Sequence, residues 1–114
     1  MQPRLIQLTQ NEVALVDAAD YPELSRFKWF AKWTGRNGAI YAARSLKKDH
    51  KTKTVYMHRL ITGALAGEEV DHDDGKTLNN QRGNLKVTTK AENLKNRVYG
   101  KIGARNHNAL AAAV

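Results

Sequence analysis

Apolar and polar positions along this chain alternate in short blocks. RLIQLT (4–9) and EVALVD (12–17) predict two short strands, with Gln10-Asn11 as the turn between them. Asp20 precedes YPELSRF, with Pro22 in the first turn and Glu23 after it, the start signals of a short helix capped by Asp20. FKWFAKW sets Phe27, Trp29, Ala31 and Trp33 on one side and lysines on the other, a strand with one buried face. TGRNG supplies a turn and AIYAARSL a partner strand. Trp29, Trp33 and Tyr41 have the spacing of core residues. KKDHKTK (47–53) predicts a charged loop, one that either enters a groove or is simply solvated. TVYMHRLI begins as a strand and turns helical near Met57.

Beyond Gly63–Gly67 the order is strand, loop, strand, helix. EEVDH is a short strand and DDGKTLNNQRGN a polar loop rich in turn residues. LKV is a second strand and TTKAENLKNRV a helix, with Thr89 and Glu92 at capping-box spacing. Ala91, Leu94 and Val98 share one face of that helix, and Asn93 lies toward another. The last segment, GKIGARNHNALAAAV, has no clear period and predicts a flexible basic, alanine-rich tail. The pattern therefore predicts an α+β chain, with a small antiparallel sheet and a short helix ahead of the strand-loop-strand-helix unit.

With 114 residues the chain has the size of one compact domain. The absence of cysteine excludes disulfides and thiolate zinc sites. MQPRLIQLTQ lacks the apolar core of a signal peptide, and no apolar run is long enough for a bilayer. The expectation is a cytoplasmic protein with no membrane partner. The net charge of +8 is unevenly placed. Residues 1–75 carry 11 basic and 10 acidic groups, whereas 76–114 carry 8 basic groups against Glu92 alone. Clustered Lys and Arg displace counterions from phosphates, so this asymmetry points to a nucleic-acid partner.

The candidate chemistry lies in Val70–Arg97. Asp71 and His72 are adjacent, Asn84 follows the polar loop, and Asn93 sits in the predicted helix. A carboxylate and an amide oxygen suit a hard ion such as Mg²⁺ or Mn²⁺, which keeps several waters and needs few protein ligands. An imidazole takes a proton from water near neutral pH, so His72 is the candidate general base. Strand neighbours point to opposite faces, so Asp71 and His72 serve one site only at a strand end or turn. Asn84 has the chemistry to pin the loop by bonding backbone groups.

These residues resemble the HNH endonuclease superfamily, in particular its phage and intron-associated homing-endonuclease branch. The resemblance rests on MHRLITG, VDHDDGKTLNN and QRGNLKVTTKAENLKNR, spanning roughly residues 54–98, and extends more loosely to ALVDAADYPELSRFKW. It implies a ββα-metal core at 58–100, preceded by a β-rich region at 1–57 packed on it and followed by the tail at 101–114. It also implies a phage- or bacterium-type DNA endonuclease. In that reading Asp71 and Asn93 hold one Mg²⁺ or Mn²⁺ per site, His72 activates water, and Asn84 fastens the loop. Arg59, Arg82, Lys86, Lys90, Lys95 and Arg97 are the candidate DNA contacts. His58 is either a phosphate-orienting residue or a buried, hydrogen-bonded structural one. No small-molecule cofactor is implied, and one site per chain suits a monomeric nickase or a homodimer. The alternatives are a non-catalytic DNA-binding module derived from an HNH fold and a basic RNA-binding protein.

Overall fold

The computed structural model describes residues 2–34 and 38–89. Asn93, Lys90, Lys95, Arg97, the predicted final helix and the tail lie outside the described residues. The architecture is mixed, mostly small antiparallel sheets with few short helices. β1 (Arg4–Gln7) pairs with β2 (Val13–Val16), and α1 (Tyr21–Leu24) follows. β3 (Phe30–Trp33), β4 (Ile40–Lys48) and β5 (Lys51–Tyr56) form a second sheet in the order β3-β4-β5. α2 (Met57–Thr62) leads to β6 (Glu68–His72), and a 3₁₀ turn at Arg82–Asn84 precedes β7 (Leu85–Thr89), which pairs with β6.

One core joins the N-terminal region to the later strands. Ile6, Leu8, Ala14 and Val16 from the first hairpin meet Leu24, Trp29, Ala42, Met57 and Ile61, with Leu78 and Leu85 packed at its edge. Trp29 is buried and donates its indole N–H to the Leu24 carbonyl at 2.8 Å. β2 also touches the later loop directly. The Leu15 amide donates to the Leu78 carbonyl at 2.8 Å, and the Asn80 amide donates to the Leu15 carbonyl at 2.7 Å.

Three local expectations are corrected. Trp33 is 66 % exposed rather than buried, because it is the last residue of β3 and lies beyond the core that receives Trp29. Asp20 precedes α1 but makes no side-chain cap, since both its oxygens accept from Arg82 instead. Residues 47–53 are not a loop. β4 runs through Lys48 and β5 begins at Lys51, joined by Asp49 and His50 with φ of 53° and 63°. Two left-handed residues in succession are what a type I′ hairpin turn requires, and its twist lets the flanking strands pair up to the turn. Asp and His are both enriched among the non-glycine residues that adopt this conformation.

Candidate active site

β6 and β7 pair in regular register, Asp71 opposite Lys86 and His72 opposite Leu85. Regular pairing through both residues puts the side chains of Asp71 and His72 on opposite faces of this ribbon. His72 ends the strand and is only 6 % exposed. Its ring lies 5.3 Å from that of His58 and 6.1 Å from that of Tyr41, centroid to centroid. Its Nε2 is 2.9 Å from Oδ1 of Asn80, whose side chain is fully buried. With Oδ1 facing the ring, the amide accepts from His72 Nε2 and the neutral ring has its lone pair on Nδ1, whereas Asn80 Nδ2 is buried with no hydrogen-bond partner among the described residues. Asn80 is thus a positioning residue for the candidate base. Its backbone is fixed in turn by the bond to Leu15. An Asn-Asn doublet in a polar loop gives a reader of the sequence no sign of which residue turns inward.

Asn84 and Asp74 staple the loop that leaves His72. Asn84 Oδ1 accepts from the Asp74 amide at 3.0 Å, and its Nδ2 donates to Asp74 Oδ1 and the Asn79 carbonyl, each at 2.9 Å. Asp74 also accepts from the Lys76 amide at 2.8 Å and from Asn79 Nδ2 at 2.9 Å. Burial raises the Asp74 pKa, but the bonds from Asn79, the Lys76 amide and Asn84, together with the Lys76 charge, outweigh that and hold it below the ordinary carboxylate value. The loop is therefore fixed from within by two side chains at its opposite ends. Thr77 additionally donates its hydroxyl to the Ile40 carbonyl, tying the loop to the start of β4.

His58 is buried, and among the described residues its Nδ1 has no hydrogen-bond partner. It lies between Tyr41, Tyr56 and His72 and lines a pocket of about 260 Å³ with Arg59 and Glu69. Burial, then the nearby His72 and Arg59, lower its pKa to about 3, so it is neutral at pH 7. A neutral imidazole with no charge to offer is a poor phosphate clamp.

Two of the candidate DNA contacts are engaged within the chain. Arg82 donates through Nε and a terminal nitrogen to Asp20, both at 2.9 Å, so its charge is neutralised there. Asp20 accordingly raises the Arg82 pKa through hydrogen bonding and charge. Arg59 donates to the carbonyls of Glu68 and Leu65 at 2.8 Å each and braces the turn between α2 and β6. Lys86 is half-buried and stands across from Asp71. Among the described residues no three His, Asp or Glu side chains cluster as a metal cage. A hard ion that retains most of its water needs only one or two carboxylates.

Among the described residues no helix is long and apolar enough to cross a membrane. Comparison with protein-family models, with curated proteins and with solved structures finds no match.

Proposed function

We propose that this protein is a metal-dependent DNA endonuclease of the HNH type. The observation that supports this most directly is the His72–Asn80 pair, an imidazole at a strand end whose Nε2 is 2.9 Å from the oxygen of a buried amide. A general base needs a ring of fixed orientation and tautomer, and a hydrogen bond to its second nitrogen supplies both. His72 Nδ1 takes the proton of a water that attacks the scissile phosphorus in line. Asn80 keeps the ring in the required tautomer, and Asn84 keeps the loop beyond it rigid. Asp71, with Asn93, would hold one Mg²⁺ or Mn²⁺, whose charge stabilises the crowded phosphorane-like transition state and the leaving 3′ oxygen. The reading requires Asp71 and His72 to converge at the end of β6 from opposite faces. The products carry a 5′ phosphate and a 3′ hydroxyl, as the family resemblance implies.

The test is nicking of supercoiled plasmid with Mg²⁺ and with EDTA, for the wild type and His72→Ala. Loss of a general base lowers the rate by about 10²–10⁴-fold. DNA binding should persist in His72→Ala. Near wild-type nicking by that variant at neutral pH would overturn the assignment. The burial of His72 favours a second reading, a DNA-binding module of the same fold without cleavage. Binding without nicking in any of Mg²⁺, Mn²⁺ or Ca²⁺ would select it.

A further inference from the structure

The β4–β5 hairpin projects from the body of the protein. Every residue from Ser45 to Lys53 is exposed, although the two strands remain paired up to the turn. β3 pairs with β4 only from Ile40 to Ala43, so among the described residues the outer half of the ribbon has no third strand. This outer half carries Lys47, Lys48, Lys51 and Lys53, with Asp49 as its only acidic group. Lys48 and Lys51 stand directly opposite each other. Like charges in that position destabilise a hairpin, and among the described residues no acidic partner is paired with either. A feature that costs stability and projects four cations calls for a polyanion in contact with it.

Alternation fixes the faces. Arg44 stacks over Phe27, 3.9 Å from the ring centroid, so the face holding Arg44, Leu46 and Lys48 turns toward the α1 side at its base. The other face runs from Tyr41 and Tyr56, which contact His58, out through Ser45 and Thr54 to Lys47 and Thr52. The same ribbon face therefore begins at the candidate site and ends in hydroxyls and one cation, Lys47, while Lys48, Lys51 and Lys53 lie on the opposite face.

We infer that the Ser45–Lys53 ribbon is a groove-reading arm that enters the major groove of duplex DNA beside the cleavage site. The inference rests on DNA being the partner in the function proposed above. The size agrees. From the Ser45–Thr54 pair to the turn the ribbon extends about 10 Å at roughly 3.4 Å per residue. The major groove is about 12 Å wide and about 8.5 Å deep and accepts a two-stranded ribbon, whereas the minor groove, about 6 Å wide, does not. From Tyr56 to Lys51 the strand covers about 17 Å, or about five base pairs at roughly 3.4 Å each, so the arm reads bases about half a turn from the scissile phosphate. The lysines position the arm on phosphates, and Ser45, Thr52 and Thr54 are the candidates for base edges.

The experiment is anisotropy with a 30-base-pair labelled duplex in EDTA, titrated from 50 to 300 mM salt. It compares wild type, the fourfold variant Lys47→Gln, Lys48→Gln, Lys51→Gln and Lys53→Gln, and the same four changed to Arg. The Gln variant should bind at least tenfold more weakly, and its slope of log K against log salt should shrink by about 3–4, from roughly 0.9 per phosphate contact. The Arg variant should restore both, which excludes misfolding as the cause. DNA whose cytosines carry bulky major-groove glucose should bind the wild type poorly, and netropsin in the minor groove should not compete. Unchanged affinity and slope in the Gln variant would overturn the inference, even with aggregation, because the lysines would then only guard an exposed strand edge. Equal affinity for duplex RNA, or competition by netropsin, would overturn the major-groove assignment. Plasmid nicking is scored separately. Ribbon-dependent binding without nicking leaves the arm standing and removes the enzyme, and nicking that ignores the four lysines does the reverse.

Discussion

Asn80 Oδ1 lies 2.9 Å from His72 Nε2, and both side chains are buried. In the proposed mechanism the pair gives the strand-end histidine one tautomer, with its lone pair on Nδ1. Asn80→Ala should therefore lower kcat more than it raises KM, by about 10–100-fold by analogy with residues that orient metal-bound histidines. Nitrogen-15 spectra of the His72 ring should show a single Nε2–H form in the wild type and a mixture in the variant. An unchanged tautomer with unchanged kcat would remove Asn80 from the mechanism.

Asp74 predicts an acid-sensitive loop. Its carboxyl is held below the ordinary value, so its contribution is complete above about pH 5 and is lost as pH falls below about 4, through the still lower folded value. Asp74→Ala should destabilise the protein by about 1–3 kcal/mol at pH 7. Urea unfolding at pH 7 and pH 3 checks this: the gap between wild type and variant should narrow at pH 3. An equal gap at both values would show that the charge of Asp74 is not what fastens the loop.

His58 predicts a second, higher acid window. Its folded pKa, about 3, lies below the ordinary imidazole value of 6.5, so the unfolded chain binds the extra proton between the two. Stability is therefore full above about pH 6.5 and falls toward pH 3, by up to about 1.4 kcal/mol per unit. His58→Phe keeps a ring among Tyr41, Tyr56 and His72 and removes the titration. Its melting temperature should vary less between pH 7 and pH 4.5 than that of the wild type. Parallel curves would show that His58 is protonated in the fold.

Metal removal tests the other half of the proposed chemistry. EDTA should abolish nicking, and Mg²⁺ or Mn²⁺ should restore it. Asp71→Ala should cost more activity than Asn93→Ala, because only the carboxylate brings charge to a hard ion. Full cutting in EDTA would sink the metal-dependent mechanism.

Much of the element order was legible from apolar spacing, as in the β1–β2 hairpin and in the change from strand to helix at Met57. The outer ribbon was not. Asp49-His50 lacks the glycine that usually announces a two-residue hairpin, and lysine and threonine in succession read as loop. Trp33 shows that period alone does not fix burial, since a strand can carry its last aromatic past the core. In the site, the order Asp71, His72, Asn84 was visible because it lies along the chain. The partners that orient these residues are set by tertiary contacts. Asn80 turns inward because β2 binds its backbone, and Arg82 is neutralised by Asp20 from the far side of the sequence. A positive side chain in a sequence carries no label telling whether its counter-ion is already at hand.

The seam between β2 and the loop at 78–80 has a consequence for how the molecule assembles. Leu15 and Asn80 share a backbone bond, and Asp17 accepts from the Arg82 amide across 65 residues of chain. Closing a loop of that length exacts an entropic cost before its contacts form, and such high-contact-order pairings tend to be late and slow. The tautomer of His72 is then among the last features to be set during folding. Until the first seventeen residues dock, a nascent or partly unfolded chain would carry its exposed cations with the His72–Asn80 pair not yet formed.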